Sequence, residues 1–263
     1  VTQVRWEGRW IEGHTALLYA NGVEDIGIAG PGKIIGNPAL GGRPRRDSPL
    51  RHPALIEPIN CRNIRLEDFS TSYHLMWSIH PTLCQNIVIK NLTIRSTGGN
   101  GDGIDIDSSQ HVLIDHCDIS AGDDCISLKS GRGEEATSQI GINPAITTED
   151  VTITNCTFAD SIFACIGIGS EHSGGIRNVH IANCKFTHAR SFAVYIKTRT
   201  GRGAFIEDIT ATHLDLTGTF AGFLRIEGLK SGIQDQDPVP GDPGIPTLRN
   251  FHFSNIRVTD VPV

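Results

Sequence analysis

Apolar and polar positions alternate with period two in short bursts along this chain, and the bursts recur. One phrase sets a polar pair ahead of an alternating run. It appears as Glu24-Asp-Ile-Gly-Ile, Arg62-Asn-Ile-Arg-Leu, Gln85-Asn-Ile-Val-Ile and Gln110-His-Val-Leu-Ile. It returns as Glu149-Asp-Val-Thr-Ile, Arg177-Asn-Val-His-Ile, Glu207-Asp-Ile-Thr-Ala and Arg249-Asn-Phe-His-Phe. A second phrase follows at Asn91-Leu-Thr-Ile, His116-Cys-Asp-Ile, Asn155-Cys-Thr-Phe and Asn183-Cys-Lys-Phe. Alternation bounded by turn residues predicts short strands. The closest repeats, at Asn63, Asn86 and His111, are 23 and 25 residues apart. That period is short for a propeller blade and suits one circuit of a β-solenoid, in which stacked coils bury what no single coil can. Wider later spacings predict loops inserted on one face. The expected fold is all-β, a parallel β-helix, with Ile104, Ile106, Ile126, Leu128, Ile166, Ile168, Val194 and Ile196 pointing inward.

Composition adds limits. The 263 residues suffice for a large core. A net charge of −6 argues against nucleic acid as a partner, and no apolar run is long enough to span a membrane as a helix. The cysteines number 7, so at least one has no partner within the chain. Cys117, Cys156 and Cys184 hold the same place in the repeat, which predicts a buried stack of small thiols and not a zinc site. The chain opens on Val1 in strand-like sequence, and Phe251 to Val263 sits mid-repeat. One β-helix domain over 1–263 is expected, with flanking segments beyond both ends.

The chemistry concentrates in Asn100-Gly-Asp102-Gly-Ile-Asp105 and Gly122-Asp123-Asp124-Cys125. Asp102 and Asp123 are 21 residues apart, about one circuit, so the two segments should lie on neighbouring strands roughly 4.8 Å apart. Clustered carboxylates cannot all ionise freely, and at least one pKa should rise. Strict alternation would send Asp123 and Asp124 to opposite faces, so a bulge or turn after Gly122 is needed to bring both to one site. Such a cluster can serve glycoside hydrolysis, which needs an acid for the leaving oxygen and a base for water.

These blocks, with Ile168-Gly-Ser-Glu171 and Tyr195-Ile-Lys197-Thr198, resemble the signatures of glycoside hydrolase family 28, the polygalacturonases and related pectinases. Similarity runs from Arg5-Trp-Glu-Gly through Trp77-Ser-Ile-His80-Pro81 to Arg202-Gly. The resemblance implies a right-handed parallel β-helix, inverting hydrolysis of a galacturonan or rhamnogalacturonan chain, and a secreted or periplasmic protein. It implies no metal or other cofactor, and a pectic oligo- or polysaccharide as the partner. By position, Asp123 resembles the general acid, and Asp102 and Asp124 the pair that activates water. Inversion predicts acid and base carboxyls roughly 6.5–9.5 Å apart. Lys197 resembles a uronate-binding cation. Asp105 is expected on the outer face near sugar hydroxyls, and Asn100 is expected to orient Asp102 or substrate, or to cap a turn.

Two positions depart from the family pattern. Ala164 replaces its histidine and Tyr195 its arginine. Tyr195 is expected to stack on a less charged sugar, and His172 to stand near the missing histidine's place. Unbranched polygalacturonate is therefore expected to be a poorer substrate than rhamnogalacturonan or another substituted pectic chain. Two other classes stay open: a Ca²⁺-dependent pectate lyase, with Arg199 or Arg202 as base, and a non-catalytic carbohydrate-binding solenoid. Loops at 37–58, 131–146 and 230–246 are expected to wall the cleft.

Overall fold

The computed structural model describes residues 1–37, 50–74, 76–96 and 98–261. Most of the expected 37–58 loop, residues 38–49, lies outside the described residues. The chain winds as a right-handed parallel β-helix. A 13-stranded sheet covers two faces, joined where long strands such as Ile176–Thr187 turn the corner; one of these faces includes Arg62–Glu67, Gln85–Lys90, Gln110–Asp115 and Thr148–Thr154 in parallel register. A third face carries the parallel strands Ile104–Asp107, Ile126–Lys129, Ile166–Ile168, Phe192–Lys197 and Gly222–Glu227. Parallel pairing between successive circuits rules out propeller blades, which are antiparallel. An antiparallel hairpin, Thr2–Trp6 with Arg9–Gly13, is joined by Glu7-Gly8. Both of those residues have positive φ, as a two-residue hairpin loop requires.

The repeated polar pair has a backbone reason. Asp25, Asn63, Asn86, His111, Asp150, Asn178, Asp208 and Asn250 all sit in the left-handed region, with φ between 53° and 59°. Asn, Asp and His tolerate that region best among residues with a side chain. Their side chains then bond from coil to coil. Asn63 Nδ2 donates to Asp25 Oδ1 at 2.8 Å and Asn86 Nδ2 to Asn63 Oδ1 at 2.9 Å. The second phrase repeats the device at Asn91, His116, Asn155 and Asn183.

All eight inward residues named from the sequence are fully buried. The seven cysteines are free and buried, and Cys117, Cys156 and Cys184 pack in the main core as expected. Phe158 and Phe186 stack there on adjacent coils, centroids 5.0 Å apart. The loop over 131–146 contains a short helix, Gly133–Thr137, and a 3₁₀ turn, Pro144–Ile146. Among the described residues, no helix is long and apolar enough to cross a membrane.

Candidate active site

Register aligns the outward positions of the site-bearing sheet into columns. One column runs Asp105, Ser127, Gly167, Tyr195 and Arg225, and a parallel one pairs Asp107 with Lys129 and Lys197 with Glu227. Gly122-Asp123-Asp124 is bent backbone that ends before the strand begins at Ile126. That turn releases the two aspartates from alternation and brings both to one cleft. The coils close because Gly103 has no side chain: a Cβ there would lie 2.4 Å from the Cys125 carbonyl oxygen. Gly103 N–H instead donates to the Asp124 carbonyl at 3.0 Å.

Asp102, Asp123 and Asp124 line a cleft of about 200 Å³ together with Glu7, Trp77, Asn100, Ser127, Lys129, Phe163, Glu171, Lys197 and the segment 231–233. One oxygen from each of the three aspartates lies within 4.8 Å of the others. These nearest oxygens are closer than the acid–base separation expected from the sequence. The three environments differ. Asp124 is buried; its Oδ2 accepts from Lys197 Nζ at 2.7 Å and its Oδ1 from the Ala164 N–H at 3.0 Å. Asp102 is buried, and burial together with the charges of Asp105, Asp123 and Asp124 raises its pKa well above the carboxylate range, against Lys129. Asp123 is the most exposed of the three.

Lys129 was not singled out from the sequence and is central here. It is buried, with Nζ 2.8 Å from Asp105 Oδ1, 3.9 Å from Asp102 Oδ2 and 3.6 Å from the Trp77 ring centroid. Burial alone would depress its pKa, but Asp105, Glu171 and Asp102 raise it well above that of a free lysine. The available signal was parity: Lys129 lies two residues beyond Ser127, on the outward face. Trp77 is fixed from behind by Trp6, stacked at 5.0 Å. Glu171, also missed as a separate group, is half-buried, yet Lys129, Arg202 and Lys197 hold its pKa below the ordinary value. With an ammonium on Asp124 and another between Asp102 and Asp105, the cluster already carries its counter-charges. That arrangement opposes the divalent cation a lyase would bind.

Other sequence expectations fare differently. Asn100 lines the cleft and has φ 59°, so it forms the turn before Asp102. Asp105 is outward but not exposed: it is fully buried beneath the cleft against Lys129. Burial pushes its pKa up to about 6, against the pull of Lys129. Contact with sugar hydroxyls is therefore replaced by support of Lys129. Tyr195 is only 6% exposed, packed against Phe163 and Phe192 at 5.6 and 6.1 Å. The ring offered to the cleft is Phe163, 40% exposed. His172 is neither a cleft residue nor a solvated one. It is fully buried, bonded through Nε2 to the Thr198 hydroxyl, and burial beside Arg202 lowers its pKa to about 3. The imidazole is thus a neutral strut. Ala164 is buried, and its main chain serves Asp124. Arg202 is also buried, donating to the carbonyls of Ser170 and Ile233 at 2.8 Å and bonded to Asp235. It ties the 230–246 loop down as a cleft wall and is not placed to act as a base.

A family model described as glycosyl hydrolases family 28 matches residues 4–227. A probable polygalacturonase of Vitis vinifera is 32% identical over 201 residues, which cover 74% of this chain and 40% of that protein. Polygalacturonase-2 of Solanum lycopersicum is 26% identical over 203 residues, 74% and 41% respectively. The chain spans about two-fifths of the length of these curated relatives. The crystal structure of a hyperthermoactive exopolygalacturonase from Thermotoga maritima superposes with TM-score 0.83 at 24% identity, covering 98% of this chain and 64% of that one. An endo-xylogalacturonan hydrolase from Aspergillus tubingensis superposes with TM-score 0.67 at 17% identity, covering 95% and 76%. The structural likenesses establish the fold.

Proposed function

Because the chain belongs to glycosyl hydrolase family 28, we propose that it hydrolyses a pectic polysaccharide, with Asp102, Asp123 and Asp124 as the acid–base machinery. The observation that carries this reading is three carboxylates on one cleft in three different environments. Asp124 is held by a lysine and a backbone N–H. Asp102 sits where a proton is favoured. Burial and the neighbouring carboxylates favour a proton on Asp102, within the cluster that Asp123 shares. Asp123, the member that reaches farthest into solvent, delivers that proton to the glycosidic oxygen. Asp102, once its proton has been passed on, and Asp124 draw a proton from the water that attacks the anomeric carbon. Inversion is part of this proposal, and the short spacing of the nearest carboxylate oxygens makes the anomer of the product the decisive readout.

The pH dependence follows from the raised pKa. The proton needed on the leaving oxygen is present below the cluster's elevated pKa and is lost as pH rises through it. Turnover therefore falls on the alkaline side, and Asp102→Asn should move that limb. A pH profile of kcat for wild type and variant checks this; superimposable alkaline limbs would detach Asp102 from the proton inventory.

Gly167 keeps the space in which Lys197 meets Asp124. A Cβ at that position would lie 2.4 Å from Asp124 Oδ2 and 3.2 Å from Lys197 Nζ. Gly167→Ala should displace the carboxylate and lower kcat by about 10²-fold, the scale of a misplaced catalytic group. Unchanged turnover would show that Asp124 is not held in working geometry by this pair.

Specificity follows from how the cations are committed. Lys129 is engaged by Asp105 and Lys197 by Asp124, while Glu7 and Glu171 add negative charge to the cleft. Lys197 keeps N–H donors for one substrate uronate. A second uronate beside it meets carboxylates, so a neutral, deoxy or substituted sugar fits better next to the cut. Rhamnogalacturonan or another substituted pectic chain should be cleaved faster than unbranched polygalacturonate. A side-by-side rate comparison with product analysis tests this. An unsaturated, ultraviolet-absorbing product would instead mark a lyase, and binding without any product would mark a carbohydrate-binding solenoid.

A further inference from the structure

A strip of aromatic rings leads away from the cleft across the next two coils. Lys197 Nζ lies 4.8 Å from the centroid of Phe163, which is 5.6 Å from that of Tyr195. Tyr195 in turn lies under Arg225: the guanidinium carbon is 5.2 Å from the Tyr195 centroid and 5.8 Å from that of Phe192. Arg225 is the register neighbour of Tyr195 on the adjoining strand, and its side chain is 47% exposed. One terminal nitrogen, Nη2, donates to Glu227 at 2.9 Å. A guanidinium carries five N–H donors in a planar fork, so the contact to Glu227 leaves others facing solvent.

We propose that Arg225, laid over Tyr195 and Phe192 and continuous with Phe163, is an anionic-sugar subsite one coil beyond Lys197, taking the carboxylate of a uronate removed from the cut. The proposal rests on the pectic reading above and deepens it. The tyrosine that stands in place of the family's arginine does not itself face the cleft. It is the platform for a guanidinium from the next coil, 5.2 Å from its centroid, with N–H donors left over for a carboxylate. Stacking of this kind orients an arginine while leaving its in-plane donors available. Lys197 and Arg225 then hold carboxylates on adjoining coils, and the exposed Phe163 ring beside Tyr195 offers an apolar face to a bound sugar.

The test compares an oligogalacturonate with the same oligosaccharide methyl-esterified at its carboxyls. Binding is measured calorimetrically in an Asp123→Asn background, and cleavage of pectic substrates by the otherwise unaltered chain is assayed separately. Arg225→Gln should weaken binding of the acidic form about 10-fold, the scale of one lost charge-assisted contact, and change the esterified form less than 2-fold. Arg225→Lys should recover part of the difference, and Phe163→Ala should weaken both forms alike. Equal binding of the acidic form before and after Arg225→Gln would overturn the subsite. So would an equal loss for both forms, or no binding of either. Absence of pectic cleavage with Arg225-dependent binding would instead sink the hydrolytic reading and keep the subsite.

Discussion

Asp123→Asn and Asp102→Asn should each lower kcat by at least about 10²-fold, the scale of lost acid–base catalysis. The two losses should differ in kind. Asparagine at 123 keeps the shape of the group that reaches the leaving oxygen but has no acidic proton to give. Asparagine at 102 removes the carboxyl whose own pKa burial and its neighbours drive upward, and it removes a base for the attacking water. Because the three groups work as a unit, the double variant should be scarcely worse than either single one. Steady-state kinetics on a pectic oligosaccharide decides it. Near-normal turnover in either single variant removes that residue from the machinery.

Asp235→Ala should destabilise the fold by about 3–5 kcal/mol, the cost of leaving a buried charge without its partner. The Asp235 side chain is fully buried among three guanidiniums: Arg132 Nε at 2.7 Å, Arg9 Nη2 at 3.5 Å, and Arg202, which is itself buried. These arginines come from the N-terminal hairpin, from the loop over 131–146 and from the segment after the strand Phe192–Lys197. The single carboxylate therefore binds three remote parts of the chain to the 230–246 loop. That loop contributes residues 231–233 to the cleft wall, so the variant should also raise KM. Thermal unfolding should shift down by roughly 10 °C at the usual scaling for a chain of this size. A change below about 1 kcal/mol would mean that the hub is solvated or replaceable.

The fold was legible because its cause is local and periodic. The polar pair before each apolar run marks a left-handed turn followed by a strand, and both repeat each circuit. The aspartate cluster was legible because Asp102 and Asp123 are one circuit apart, and because Gly122 signals a break in alternation. Lys129 was readable in principle from its parity with Ser127, but no short-range pattern tells a solvated lysine from one clasped by Asp105. Asp105, Tyr195 and His172 were misplaced for a shared reason. Alternation says which side of the sheet a residue leaves from, not what later loops lay over it. Here Lys129 covers Asp105, Phe163 and Arg225 cover Tyr195, and Thr198 and Arg202 enclose His172. Nor does a motif show that Arg202 is engaged 33 residues downstream by Asp235.

The most direct measurement is the proton NMR spectrum of the first product as it forms from a substituted pectic oligosaccharide, recorded before mutarotation. Three carboxylates working on a bound water predict a saturated sugar whose new reducing end appears first in the inverted anomeric form. Asp123→Asn should suppress its formation. A retained anomer, which the short spacing between nearest carboxylate oxygens would accommodate through a covalent intermediate, an unsaturated product, or no product at all would contradict the account.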